Sequence, residues 1–220
     1  MTRFVLASGN LHKLHEFRGI LVEHEVLPMP AGVALPPEGV TTFRDNAMTK
    51  ARALAAAAMA AGGAAPGAVA DVDPDAAAPA APLFIGDDSG LEVEALDWRP
   101  GVRSSRYAGR DGDDAANVAK LLGELAGLSV GARRARFVCC MACVLPDGRA
   151  YESRGEWWGA IAPQPRGSGG FGYDPVFVPK GSDLTVAQWS QELKDRSSHR
   201  ALAGRALLAT LAEEGALDGA

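Results

Sequence analysis

An excess of positive charge is what this sequence most clearly lacks. Its 22 Lys and Arg stand against 27 Asp and Glu, a formal net charge of −5. A protein that grips polymeric DNA or RNA presents a basic surface, so that class of partner is excluded. A small anion held in a locally basic pocket is not. Cysteine is scarce as well. Cys139, Cys140 and Cys143 crowd into one apolar run, Phe137 to Leu145. An odd number in such a run reads as buried, reduced thiols of a cytosolic protein. Cys140-x-x-Cys143 has no second Cys/His pair at zinc-like spacing. Membrane spans are missing too: the longest apolar-looking stretch, Ala53 to Ala70, is mostly alanine and is broken by Gly62, Gly63, Pro66 and Gly67. The apolar segment at the N-terminus is too short for a signal peptide. The expectation is a cytoplasmic protein.

What is present suits one domain over residues 1–220, since 47% hydrophobic residues can supply a core without disulfide or metal staples. Arg3 to Ala7 reads as a buried strand. A Ser8-Gly9-Asn10 turn follows, then a helix marked by Leu14, Phe17 and Leu21. Thr42 reads as the N-cap of a second helix to about Ala61. From Gly62 to Pro82 the chain is Ala/Gly/Pro-rich with three aspartates and has too little apolar bulk to pack, so it reads as an exposed, mobile insertion. Leu83–Ile85 and Leu91–Leu96 read as two strands. Val118, Leu121, Leu122 and Leu125 mark a helix face. Arg136–Leu145 reads as a central strand, joined by a Pro146-Asp147-Gly148 turn to a return strand over Ala150–Ile161. A final helix runs from about Ser198 to Glu214. Strand–helix units combined with a long antiparallel hairpin give an α/β fold with a mixed sheet.

Five segments could carry chemistry. Ser8-Gly9-Asn10-Leu11-His12-Lys13 links a strand to a helix N-terminus, where amides and the helix dipole favour anions and Lys13 adds charge. Asp45-Asn46, with Lys50 and Arg52 downstream, opens the second helix; by itself it reads as a favourable first-turn acid. Gly86-Asp87-Asp88-Ser89-Gly90 reads as a loop between strands. Its adjacent acids suit either a plain turn or a divalent cation, and magnesium takes one or two carboxylates plus waters and substrate phosphates. Gly169 to Asp174 places aromatics between glycines, as a stacking site for a flat base or as a glycine-rich corner. In Lys194 to Arg200, Ser198 caps the last helix. His199 and Arg200 then lie in its first turn, where cations oppose the dipole. That exception points to an anionic or carbonyl ligand, the alternative being a solvated charge run.

In this order the segments resemble the inosine triphosphate pyrophosphatase family, pyrophosphohydrolases of non-standard purine nucleoside triphosphates. The matching stretches are Ala7–Lys13, Thr42–Ala47, Asp87–Leu91, Pro100–Gly109, Gly170–Pro175 and Ser198–Arg200. The resemblance runs nearly end to end outside the 62–82 insertion. It implies an elongated α/β fold with a mixed sheet, flanking helices and a two-lobed cleft, a homodimer, and Mg²⁺-dependent release of pyrophosphate from ITP, dITP or XTP. By position it implies that Asp88 is the catalytic acid/base and a metal ligand, with Asp45 as a second ligand. Asp45 stands where the family usually has Glu. Ser8, Gly9, Asn10, Leu11, His12, Lys13 and Lys194 would cradle the substrate, mainly its phosphates. Ser89 would contact it, and Phe171, Gly172, Tyr173, Asp174, His199 and Arg200 would hold the base side. The competing readings are a Maf-like pyrophosphatase of different base preference and a non-catalytic nucleotide-binding protein.

Overall fold

The computed structural model describes residues 1–39, 41–61 and 81–217. The segment read as an insertion lies outside these, apart from Ala81 and Pro82. In chain order the elements are β1 (Arg3–Leu6), α1 (Leu11–Ile20), β2 (Glu25–Pro28), α2 (Phe43–Ala60), β3 (Leu83–Val93) and α3 (Asp114–Glu124). They continue with β4 (Arg134–Val144), β5 (Ala150–Ile161), β6 (Phe177–Pro179), α4 (Gln191–Ser197) and α5 (His199–Glu213). One six-stranded sheet has the order β2-β1-β3-β4-β5-β6. β1 runs parallel to β2 and β3, while β3 through β6 pair antiparallel. The expected mixed α/β sheet is what forms.

The largest departure from the sequence reading lies in β3. Gly86–Gly90 is not a loop. Leu83–Ile85 and the residues after Gly90 belong to one 11-residue strand, paired without a break to β4 from Phe84↔Val144 to Val93↔Ala135. Turn-forming composition misled because these glycines do a different job. A Cβ on Gly86 would stand 2.1 Å from the Ala47 carbonyl oxygen and 2.7 Å from the Ala51 nitrogen. One on Gly90 would stand 2.4 Å from Ser104 Oγ and 2.6 Å from the Gly101 oxygen. Both are bare so that α2 and the 3₁₀ turn at Gly101–Arg106 can lie directly on the strand.

Successive strand residues face opposite sides, and the core divides accordingly. Phe4, Leu6, Cys139, Met141 and Cys143 pack under α1 and α5, with Phe17, Leu207 and Leu211. Val5, Ala7, Cys140, Ala142 and Val144 pack on the other face under α2, with Phe43 and Leu54. A third cluster gathers at the far ends of the long strands: Leu91, Val93, Ala135 and Phe137 with Val118, Leu121, Ile161 and Phe177. The stretch of β3 between the first two clusters and the third is Gly86 to Gly90. The polar middle of this 11-residue strand is therefore where the first two clusters give way to the third. All three cysteines are buried free thiols. Trp157 packs against Phe177 and Trp189, while Trp158 meets Trp98 edge-on and lies under Arg134 and Arg136.

Candidate active site

Asp87 and Asp88 are neighbours in sequence but face opposite sides of the sheet, so each has its own surroundings. Asp88 shares its face with Gly86 and Gly90, which lets α2 bring Asn46 and Lys50 close. Those two residues lie four apart, on one side of the helix. Asn46 Nδ2 donates to Asp88 Oδ2 at 2.7 Å, and Lys50 Nζ stands 3.7 Å from Asp88 Oδ1. Lys50 also pairs with Glu38 at 2.6 Å. The loop carrying Glu38 is fixed by the same asparagine, whose Oδ1 accepts from the Gly39 amide at 2.8 Å. Asn46 thus sets the spacing of two carboxylates, Asp88 and Glu38, with one ammonium between them. Burial raises the Asp88 pKa above the usual carboxylate value; Lys50 draws it down, Glu38 pushes it up, and the Asn46 hydrogen bond lowers it. Lys50 is held charged despite burial by Asp87, Asp88 and Glu38.

On the other face lies a closed charge cluster. Asp87, fully buried, pairs with Lys13 at 3.0 Å and with Arg200 Nε at 3.5 Å, and Ser89 Oγ donates to it at 3.1 Å. Burial opposes its ionisation. The charges of Lys13, Arg200 and Lys50 outweigh burial and hold the carboxyl far below the usual range. Glu16, one turn after Lys13 on α1, is buried and bridges Lys194 at 2.6 Å and Arg200 at 2.9 Å. Lys194 also pairs with Asp174 at 2.5 Å. Three acids and three cations balance here, which is how a buried group of charges is tolerated. The cations expected to be free for a ligand are pre-aimed by acids. Likewise Asn10 caps α1, accepting from the amides of His12 and Lys13 at 2.9 and 3.3 Å.

The Gly169–Asp174 segment closes the far end. The Asp174 carboxylate accepts from the Phe171 amide at 3.0 Å, and Tyr173 donates its hydroxyl hydrogen to the Ser104 carbonyl at 2.8 Å. Gly170 and Gly172 hold positive φ of 72° and 63°, which side chains resist. His199 is buried, stacked on Phe137 at 4.7 Å, and its Nδ1 has no hydrogen-bond partner among the described residues. Burial, with Arg200 and Lys194 nearby, keeps this ring well below the ordinary histidine pKa, so it is neutral at pH 7.

These groups line one cleft of about 600 Å³, within the range of small-molecule sites. Ser8, Gly9, Asn10, His12, Lys13, Asp88, Ser89, Phe171, Gly172, Tyr173, Asp174, Lys194, His199 and Arg200 all border it. Leu11 does not; it is 76% exposed. Nor does Asp45. Its carboxylate accepts from the hydroxyls of Thr41 and Thr42, and it lines a different depression beside Trp98 and Arg103. Helix geometry explains this: Asn46, one residue on, is turned about 100° and takes the inward position. The acid that does face Asp88 across Lys50 is Glu38, which lay unremarked in a Pro/Gly-rich loop. The Lys13–Glu16 spacing was the available signal for Glu16, and Asn46–Lys50 for the α2 pair. The run Lys194–Arg200 is not a solvated face: Lys194, Ser198, His199 and Arg200 are buried. Ser198 caps α5 as expected, accepting from the Ala201 amide at 3.2 Å.

The model of the Ham1 family matches residues 4–210. The chain belongs to that family. The dITP/XTP pyrophosphatase of Nocardia farcinica is 42% identical over 223 residues, covering 96% of both chains. That of Mycobacterium tuberculosis is 43% identical over 218 residues, 94% of this chain and 92% of that one. Among solved structures, the Ham1 protein of Staphylococcus aureus aligns with a TM-score of 0.75 at 35% identity, covering 97% of this chain and all of that one. The dITP/XTP pyrophosphatase of Mycobacterium abscessus gives 0.65 at 38% identity with the same coverage. The resemblance drawn from the six motifs is borne out.

Ham1-family membership raises the question of a metal. Among the described residues no cluster of three or more His, Cys, Asp or Glu forms a ready-made cage. Around Lys50 the cleft instead brings together two carboxylates, Glu38 and Asp88, with one ammonium between. Such a set fits a hard cation that completes its shell with water and substrate phosphate.

Proposed function

We propose that this Ham1-family chain hydrolyses non-standard purine nucleoside triphosphates, ITP, dITP or XTP, to the monophosphate and pyrophosphate, acting in the cytoplasm as a homodimer. The observation that carries the reading is the placement of Asp88. It is a nearly buried carboxylate at the bottom of a cleft with cations along one wall and an aromatic, glycine-flanked segment at its end. The loop Ser8–Lys13 and Lys194 meet the phosphates, and Ser89 stands beside the reacting group. Asp88, positioned by Asn46, accepts a proton as water attacks the α-phosphorus. The bond from that phosphorus to the bridging oxygen breaks, and pyrophosphate leaves. Mg²⁺, held by Asp88 and Glu38, would supply positive charge against the phosphates. Asp45, on the helix surface, would reach it only through water. At the base end Phe171 offers a stacking face, while neutral His199 and the Arg200 guanidinium offer polar contacts to a 6-oxo edge. A site built on such hydrogen bonds rejects the wrong edge strongly. No helix among the described residues is long and apolar enough to cross a membrane, in keeping with work on dissolved nucleotides.

The test is incubation with ITP, dITP, XTP, ATP, GTP and dTTP, with and without Mg²⁺, and chromatographic identification of products. IMP and pyrophosphate from ITP, with ATP and GTP poor substrates, is the expected result. Orthophosphate, or equal turnover of ATP and ITP, would sink the reading; a dTTP preference would favour the Maf-like alternative. Sedimentation of the purified chain tests the dimer.

A further inference from the structure

His12 follows the phosphate-type turn, yet its side chain is not aimed where the phosphates are expected. Its imidazole lies on the ring of Phe171, with centroids 5.5 Å apart and planes 23° from parallel. Both residues border the cleft. Lys13, the next residue, turns instead to Asp87. Successive helix residues diverge by about 100°, so one turn of α1 serves both ends of the cleft.

Phe171 has further neighbours. Lys194 Nζ lies 4.5 Å and the Arg200 guanidinium 5.3 Å from its ring centroid. A flat base that stacks on Phe171 must part it from one of these. The cations cannot yield cheaply, because both are buried and tied to Glu16, with Lys194 also tied to Asp174 and Arg200 to Ser89. Phe171 is held by Asp174 through its amide, and Gly172 by Asp114 at 2.7 Å. His12 is exposed, and its side chain makes no hydrogen bond or ion pair among the described residues. Of the three side chains set against the Phe171 ring, it is the one without an ion pair among the described residues. Two stacking contacts of about 3.5 Å each need roughly 7 Å between rings. Side-chain rotation at an exposed position can open a gap of that size without moving the backbone.

We propose that His12 is the movable wall of a base clamp: its ring, which packs on Phe171, swings aside and closes on the purine from the side opposite Phe171. This rests on the nucleotide reading above and assigns His12 to the base instead of the phosphates. The experiment compares the wild-type chain with His12→Ala, His12→Trp and His12→Lys. Binding of IMP and of ribose 5-phosphate, which lacks the base, is measured by titration calorimetry, and KM and kcat for ITP with Mg²⁺. Loss of one stacking face should weaken IMP binding and raise KM by at least about fivefold. Ribose 5-phosphate affinity should stay within about twofold of wild type on the same argument. Tryptophan should restore IMP binding and lysine should not. Equal losses for both ligands, rescue by lysine, or unchanged IMP affinity would each overturn the clamp. Wild-type hydrolysis of ITP is the separate arm: its failure would remove the nucleotide reading itself, whereas an active wild type with an unchanged His12→Ala variant refutes the clamp alone.

Discussion

Gly86→Ala adds a single methyl group, and the structure says where it goes. The new carbon would stand 2.1 Å from the Ala47 carbonyl oxygen and 2.7 Å from the Ala51 nitrogen, both backbone atoms of α2. No side-chain rotation relieves such a clash. Reaching an ordinary contact of about 3.2 Å requires α2 and β3 to separate by roughly 1 Å, and overpacking of this kind costs about 1–3 kcal/mol. For a chain of this size that lowers Tm by roughly 2–12 °C. The same shift reaches the chemistry. α2 carries Asn46, 2.7 Å from Asp88, and a further ångström takes that contact beyond hydrogen-bonding range. Misplacement on this scale can cost about 100-fold in rate. Thermal unfolding and ITP turnover, measured on the same preparation, read the two effects. Gly9→Ala serves as the stability control, since a Cβ there meets nothing within 4 Å. Wild-type Tm and turnover in Gly86→Ala would refute the claim that α2 is seated on the bare strand and sets Asp88 through it.

The two adjacent aspartates should respond oppositely to the same isosteric change. Asp88→Asn should lower kcat by about 100-fold or more and leave Tm unchanged or higher, because burial makes the ionised Asp88 unfavourable; near-normal turnover would remove Asp88 from its role. Asp87→Asn should cost about 3–5 kcal/mol in denaturant unfolding at pH 7, since it takes from Lys13 its carboxylate partner and from Arg200 one of its two, in a buried setting. The pH dependence follows from the depressed Asp87 carboxyl: the stability it gives is present above the unfolded-state value near 4 and is lost as pH falls toward the lower folded value. Between about pH 5 and pH 3 the wild-type chain should therefore lose more stability than Asp87→Asn, and parallel losses would contradict the ion-pair assignment. Finally, Glu38→Gln should raise the Mg²⁺ concentration needed for half-maximal rate, whereas Asp45→Asn should change it little; the reverse order would return the second acid to Asp45.

Much of this was legible in the sequence for a physical reason. Periodicity reports which face of an element is buried, and Val118-Leu121-Leu125 or the doubly apolar β4 left little choice. Thr42 and Ser198 announced helix starts because short polar side chains satisfy the first free amides. What composition could not report is which partner approaches a glycine. Gly86 and Gly90 carry the same letters as turn glycines, but here they are smooth places on a strand that take a helix and a 3₁₀ turn. Asp45 was misplaced similarly: on a helix, one residue of offset exchanges the position that bonds Asp88 for one lining a different depression, and the acid that faces Asp88, Glu38, comes from a loop with no period at all.

The corrected strand also explains why the chain uses two acids where one seemed redundant. In a loop, adjacent carboxylates would share one environment, and a cation would be the natural relief for their repulsion. In a strand they are separated by the sheet itself. Asp87 spends its charge on Lys13 and Arg200 and so fixes the cations that face the substrate. Asp88, one peptide bond away, keeps a carboxylate whose pKa is raised by burial and whose neighbours on α2 hold it in place. The alternation of one β-strand thus gives a structural acid and the acid we propose as proton acceptor opposite pKa shifts. It also couples them mechanically: any displacement of β3 at Gly86 must move both the cation wall and Asp88.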